Sequence, residues 1–293
     1  MTKGNYVLIT AAKNEERHIE KTIQSVISQT ILPRKWIIAS DGSTDRTDEI
    51  VERYSAKFDF IKLLRRNPKE SRNFASKAYA IRESVVHLND IEYGFICNLD
   101  ADISFGPGYY ESLLEKFQEN PKLGIAGGIL YEPLNEKWKP QFISKSWSVS
   151  GPIQMFRRRC FEDIDGYIPL RKGGVDAIAE VMARMHGWEV RTFPDIKAKH
   201  HRRMGTELRS ILNAKFWDGI VDYSHGNHLL FEIAKFISRN RERPYFFGSL
   251  LRLSGYCWAF LKRDERDLPD DVIIYLKKEQ INRLKSIIKF ISR

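Results

Sequence analysis

Cysteine is scarce in this chain of 293 residues. There are three, Cys97, Cys160 and Cys257, widely separated and without a CxxC pair. That excludes a disulfide framework and a zinc ribbon, and it suits a reducing compartment. No uninterrupted apolar run reaches about 18 residues, so no membrane-spanning helix is expected. The nearest approach, Tyr245 to Leu261, is interrupted by Gly248, Arg252 and Gly255. The first residues, Met1 to Asn5, lead straight into an apolar strand without a signal-peptide pattern, and a cytoplasmic location is expected. Internal repeats and low-complexity tracts are also missing.

What remains is ordinary globular composition, 42% hydrophobic and 29% charged. The length suits one medium α/β domain with an appendage, or two small domains. The charge is unusual: 48 Lys+Arg against 38 Asp+Glu, a net +10. Such a surplus points to a polyanionic partner, which could be nucleic acid, an anionic membrane or a phosphorylated substrate.

The first hundred residues alternate short apolar runs with helical periodicity. Strands are predicted at Tyr6 to Thr10, Trp36 to Ser40, Phe60 to Leu64 and Phe95 to Leu99, and helices over Glu15 to Gln29, Thr44 to Tyr54 and Ser71 to His87. This is the pattern of a parallel-centred α/β sheet, in which ligands bind beyond the carboxyl ends of the strands. Strand-like runs follow at Gly124 to Tyr131, Val149 to Arg159, Glu189 to Phe193 and Ile196 to His201. Past about Gly205 helical patterns dominate, over Glu207 to Ser238, Tyr245 to Arg263 and Pro269 to Phe290, with the basic stretch Arg239 to Pro244 as a connector.

Three strand ends carry acids: Glu15 and Glu16 after the first, Asp41 and Asp45 after the second, Asp100 and Asp102 after the fourth. One such end is ordinarily a solvated turn or a helix cap. Three on one rim indicate chemistry. Asp45, at the start of a helix, is the exception and suits the helix dipole. In an extended backbone Asp100 and Asp102 would point to the same side and meet one divalent cation, Mg²⁺ or Mn²⁺, beside phosphate oxygens. Asp176 follows Gly173 and Gly174 at a helix start, where it is either a cap or a proton acceptor facing a cleft. His200 and His201 point to opposite faces of their strand, so at most one faces the site. Strand alternation likewise prevents Arg157, Arg158 and Arg159 from all contacting phosphate.

Together these residues resemble the family 2 glycosyltransferases, inverting enzymes of the GT-A fold that use sugar nucleotides. The likeness runs from Tyr6 to Arg203. Ala11-Ala12-Lys13-Asn14-Glu15-Glu16 is similar to the family's P-A-x-N-E-E element, with Ala11 where Pro is commoner. Asp41-Gly42-Ser43-Thr44-Asp45 matches D-G-S-x-D. Lys77-Ala78-Tyr79-Ala80-Ile81 resembles G-K-A-x-A-L, with Ser76 for the glycine. Asn98 to Asp102 matches the D-x-D strand, Phe156 to Tyr167 an F-R-R…I-G-G-F stretch, and Asp176 to Gly187 an E-D…G element in which Val175 replaces the glutamate.

The resemblance implies an α/β fold: a mixed, mainly parallel sheet flanked by helices, with a C-terminal helical appendage. It implies that Ala11, Glu15 and Asp41 lie against the nucleoside of a UDP- or GDP-sugar. Asp100 would approach ribose or metal, and Asp102 would bind the metal, with His201 completing that site. Lys77 would help hold the nucleotide, and Asp176 would be the general base. The expected division is a catalytic domain over residues 1–204 and a basic helical region over 205–293. The alternatives are a nucleotidyltransferase, against which stands the missing Gly-rich phosphate loop after the first strand, and a nucleic-acid-binding protein, whose phosphate backbone the acidic rim would repel.

The charge is unevenly placed. Residues 200–293 carry 18 Lys+Arg against 11 Asp+Glu, the first 199 only 30 against 27. Ile281, Leu284, Ile288 and Ile291 recur at helical spacing among Lys277, Lys278, Arg283, Lys285, Lys289 and Arg293, a basic amphipathic helix. The expectation is a peripheral contact with an anionic membrane surface and a lipid-linked or carbohydrate acceptor. The other reading is that these helices pack on the catalytic domain or form a homo-oligomer.

Overall fold

The computed structural model describes residues 5–67, 73–134, 137–141, 146–202, 211–239 and 245–291. The chain divides into two compact units, Met1–Arg203 and Met204–Arg293. The expected domain boundary at 204–205, the helix start at Glu207, connector residues 240–244 and Arg293 lie outside the described residues, as does Ser71; the helix expected from Ser71 begins only at Ser76, after a turn at 74–75.

The first unit is built on a nine-stranded mixed sheet. Its parallel half runs β3 (Ile61–Arg66), β2 (Lys35–Asp41), β1 (Tyr6–Ala12), β4 (Phe95–Asn98). The order then continues through β8 (Met155–Arg157), β6 (Leu123–Leu134), β9 (Glu189–His200) and β5 (Ile103–Phe105), with β7 (Lys137–Pro140) paired to β6. β8 is antiparallel to both neighbours, β6 and β9 are parallel, and β5 is antiparallel to β9. β1 and β2 read as continuous apolar runs because they are covered on both faces: Tyr6 to Ile9 and Trp36 to Ala39 are fully buried. Polar atoms within this core are paired. Trp36 Nε1 donates to Thr10 Oγ1 at 3.0 Å and Tyr6 Oη to the Ile31 carbonyl at 2.7 Å. Helix α1 (Ile19–Ile27) buries Ile19, Ile23 and Val26, the i, i+4, i+7 stripe of an amphipathic helix. Around the sheet follow α2 (Thr47–Ser55), α3 (Ser76–Val86), α4 (Tyr109–Glu119), α5 (Arg158–Asp163) and α6 (Val175–Met185).

Three further local expectations change. α1 starts at Ile19 rather than Glu15: Asn14 takes φ of 55°, and the amides of Glu15 and Glu16 donate to Thr47 Oγ1 and Asp45 Oδ2. The Val149 to Arg159 run keeps only three strand residues, because Gly151-Pro152-Ile153 forms a 3-10 turn and Arg158 opens a helix. The two runs in 189–201 form one strand. Its register with β6 jumps from Gly128–Phe193 to Ile129–Lys197, so a bulge absorbs Pro194.

The second unit is helical: α7 (Ile211–Ser224), α8 (Leu229–Ser238), α9 (Tyr245–Leu261) and α10 (Asp270–Ile291). The single helix expected up to Ser238 breaks at Gly226, whose φ is 73°. α7 and α9 meet at Gly219 and Gly255, where a Cβ would stand 1.9 and 2.0 Å from carbonyl oxygens of the facing helix. A buried ion cluster ties the helices together. Asp222 accepts from Arg252 at 2.6 Å, Lys235 at 3.1 Å and Asn227 at 3.0 Å. Burial opposes its charge, but the two cations hold the carboxyl well below its ordinary range. Among the described residues no helix is long and apolar enough to cross a membrane.

Candidate active site

β1 lies between β2 and β4, so the carboxyl ends of all three open on one rim. Asp41, the last residue of β2, is buried and held by Arg66, its register partner at the end of β3. Arg66 also grips Glu83 of α3 with two bonds, of 2.6 and 3.1 Å, and Arg66 draws the Glu83 carboxyl below its usual range. Sequence reading missed Arg66; register pairing is the signal that would have found it. Asp45 takes the structural role expected of it. Although burial opposes its charge, donors from Thr47 and Glu16 hold the carboxyl low.

Asp100 and Asp102 do not act as one pair. The backbone turns at Ala101-Asp102, so the extended-strand alternation does not apply there. Asp100 is partly exposed and bound by Lys77 Nζ from the first turn of α3. Asp102 is only 2% exposed, and its Oδ2 lies 3.1 Å from His200 Nε2 and 3.0 Å from Arg202. Arg202 also reaches Glu15 at 2.8 Å. Burial opposes the charge on both Asp102 and His200. Their hydrogen bond prevails, lowering the carboxyl and raising the imidazole.

The expectation that His201 joins the metal site differs from the geometry. His200 and Arg202 share one face and meet Asp102. His201 faces the other way, 2.7 Å from Ser104 Oγ and edge-on to Trp138. Burial and neighbouring Lys21 push the His201 imidazole down to about 4. Among the described residues no group of three His, Cys, Asp or Glu side chains is arranged for a metal ion. Asp102 and His200 do supply an oxygen and a nitrogen donor close together. His200 Nδ1 and Glu132 Oε1 behind them are buried, 3.8 Å apart, without a hydrogen bond. An oxygen and an imidazole nitrogen together are a donor set that Mn²⁺ accepts more readily than Mg²⁺.

Asp176 sits in the first turn of α6. Gly174, with φ of 81°, is the N-cap and Gly173 has φ of 114°, so Asp176 is not itself the cap. Its carboxylate accepts no hydrogen bond among the described residues. The Gly151–Ile153 turn joins it to the D-x-D strand end. Asn98 Nδ2 donates to the Gly151 carbonyl at 2.7 Å, the Asp100 amide donates to the Pro152 carbonyl at 3.0 Å, and a Cβ on Gly151 would stand 2.2 Å from Asp176 Oδ2. A side chain at position 151 would therefore displace the Asp176 carboxylate.

One turn beyond Asp176 lies Glu180, which the sequence reading did not single out. It is 4% exposed and accepts from the Val149 amide at 2.6 Å and Gln154 Nε2 at 3.2 Å, while Tyr167 Oη donates to Gln154 Oε1 at 2.7 Å. Burial pushes its carboxyl up to about 7. Between about pH 4.5 and 7 the folded state then holds a proton that the unfolded state releases, so this group lowers stability as pH rises through that window. Glu180→Gln is expected to remove that slope and to gain on the wild type by of the order of 2–3 kcal/mol from pH 4.5 to 8, read by denaturant titration at each pH.

Arg157 donates to the carbonyls of Leu123, Phe117 and Asn120, and Arg158 and Arg159 pair with Glu162 and Asp163. These three arginines serve the fold.

The chain spans about a third of the length of the curated relatives it matches. It is 30% identical over 146 residues to a poly-β-1,6-N-acetyl-D-glucosamine synthase of Staphylococcus epidermidis, covering 50% of this chain and 31% of that one. The synthase of Staphylococcus aureus strain COL is 30% identical over 148 residues, with the same coverage. Among solved structures, Pyrobaculum calidifontis mannosyltransferase PcManGT with GDP-Man and Mn²⁺ aligns at TM-score 0.57 and 15% identity, over 89% of this chain and 76% of that one. S. aureus TarS 1–349 with UDP-GlcNAc aligns at 0.55 and 16%, over 73% and 64%. These structural likenesses establish the fold, the mixed sheet flanked by helices that the sequence leads one to expect. The model of the family described as glycosyl transferase family 2 matches residues 7–172, more than half of the sequence, and the chain belongs to that family.

Proposed function

We propose that the chain is an inverting glycosyltransferase that moves a sugar from a UDP- or GDP-sugar to an acceptor hydroxyl. The observation that carries this reading is the Gly151–Ile153 turn, which holds the Asp100 strand end and the Asp176 carboxylate against one another. In this reading Asp176 takes the acceptor proton as the hydroxyl oxygen attacks the anomeric carbon. The bond from that carbon to the diphosphate breaks on the opposite face, and its electron pair leaves with the phosphate oxygen. Ala11, Glu15 and Asp41 flank the nucleoside, with Lys77 beside Asp100. Mn²⁺ or Mg²⁺ would be held by Asp102 and His200, and when bound it offsets the charge of the departing diphosphate.

The nucleotides bound in TarS and PcManGT support a nucleotide-sugar donor, and the synthase relatives support a carbohydrate acceptor and a role in polysaccharide synthesis. Family membership removes the ground for the nucleotidyltransferase and nucleic-acid readings. The test is thermal stabilisation by UDP, GDP and their sugars, with Mn²⁺ or Mg²⁺. One diphosphonucleotide at 100 times its Kd is expected to add about 2.7 kcal/mol, several degrees in Tm. Stabilisation by none of them would overturn the reading.

The second unit, in this proposal, rests on the cytoplasmic face of an anionic membrane and serves a lipid-linked acceptor. Its positive charge supports this, as do large apolar side chains left exposed on α8, α9 and α10, among them Ile237, Phe247, Trp258, Leu261 and Ile288. Flotation with vesicles containing anionic lipid is expected to carry the chain upward at low salt and less so at high salt. A chain that stays at the bottom in both, or self-associates through these faces instead, refutes it.

A further inference from the structure

Beyond the nucleotide site, the first unit carries a groove of about 550 Å³ whose lining includes Ser104, Tyr131, Trp138, Lys197 and Lys199 and, among the described residues, no acidic one. It lies on the face of the sheet turned away from Asp102. On β9, Lys197 and Lys199 are exposed while Ala198 and His200 are buried; on β6 Tyr131 pairs with Lys199, and Glu132, the next residue, falls on the opposite face of the strand. The donor-side groups, His200 and Glu132, thus face one side, and the Tyr131, Lys197 and Lys199 side chains of the groove face the other.

Its chemistry is specific. Trp138, 38% exposed on the short hairpin strand β7, and Tyr131 present two aromatic faces. Lys199 Nζ lies 5.2 Å from the Trp138 ring centre and Lys197 Nζ 6.0 Å from that of Tyr131. Neither ammonium has a carboxylate partner among the described residues. A cation–π contact at an exposed site is worth only about 0.5–1 kcal/mol, so each lysine can leave the ring face for an anion. The ring then offers an apolar platform to the C–H face of a pyranose, and the ammonium a charge-assisted bond to a carboxylate or phosphate on the same sugar.

We infer that this groove binds an anionic saccharide, its pyranose rings on Trp138 and Tyr131 and its acidic groups on Lys197 and Lys199. The inference stands apart from the transfer reaction, because its test reads binding alone. The full chain is titrated calorimetrically with tetragalacturonate, glucose 6-phosphate, the neutral maltotetraose and inorganic phosphate. An anionic sugar is expected to bind at least tenfold more tightly than maltotetraose. Trp138→Ala and the double variant Lys197→Gln/Lys199→Gln are each expected to weaken that binding at least tenfold, with UDP or GDP affinity unchanged. Binding of neither anionic sugar, equal binding of maltotetraose, equal binding of inorganic phosphate, or unaltered affinity in both variants would overturn it.

Discussion

Asp176→Asn is expected to lower sugar transfer by about 10²–10⁴-fold while nucleotide affinity stays within threefold. The amide keeps the shape of the carboxylate, so the contact with Gly151 and the first turn of α6 are preserved. What is lost is the capacity to accept a proton. The site suits that single role. A helix N-terminus favours negative charge, two left-handed glycines bring the backbone close to the cleft, and no described group shares the carboxylate. Initial rates with saturating donor and acceptor, alongside donor Kd by calorimetry, separate chemistry from binding. Transfer at the wild-type rate would remove Asp176 from the role of base.

Asp102→Ala carries the second large effect, and it falls on both stability and nucleotide binding. The change leaves the Arg202 guanidinium and a His200 imidazole of raised basicity without the buried carboxylate between them. Removing one partner of a buried pair costs about 3–5 kcal/mol. On the proposed reading, in which a divalent metal assists donor binding, that binding is expected to weaken at least 100-fold, because among the described residues Asp102 is the carboxylate at hydrogen-bond distance from His200. Asp102→Asn retains the volume and is expected to lose metal dependence with a smaller loss of stability, so it separates binding from folding. The wild type has a further signature. The Asp102 carboxyl is held below its unfolded value, so its stabilisation is present above about pH 4 and is lost as pH falls through the lowered value. Asp102→Ala is expected to flatten the acid limb of the stability curve. Donor binding that keeps its full metal dependence in either variant contradicts the assignment.

Much of this site was legible because strand ends in a parallel sheet are local features of sequence. β1, β2 and β4 announce themselves as buried apolar runs, and the acids follow each run directly. Asp41 closes β2, at the strand end where the sequence places it, whereas the pairing of Lys77 with Asp100 is read only from the tertiary structure. The histidine choice went differently. Alternation allows at most one of His200 and His201 to face the acidic rim, but parity alone does not say which face of β9 is inward. That is decided by β5, which pairs Ile103 with His200 and brings Asp102 beside it.

The sequence by itself determined the alternation of elements, the rim of acids, the likeness to family 2 glycosyltransferases and the concentration of positive charge after residue 200. Those properties rest on residue type and short spacing, which are written locally. Only the tertiary structure decided that Asp100 and Asp102 take separate partners, that Arg66 and Arg202 hold the rim, that Glu180 is buried beneath Asp176, and that Lys197 and Lys199 open on the face away from Asp102. Each depends on register, a bulge or a turn between residues far apart in the chain. A one-residue shift in register exchanges the two faces of a strand, so long-range pairing sets which side chains meet.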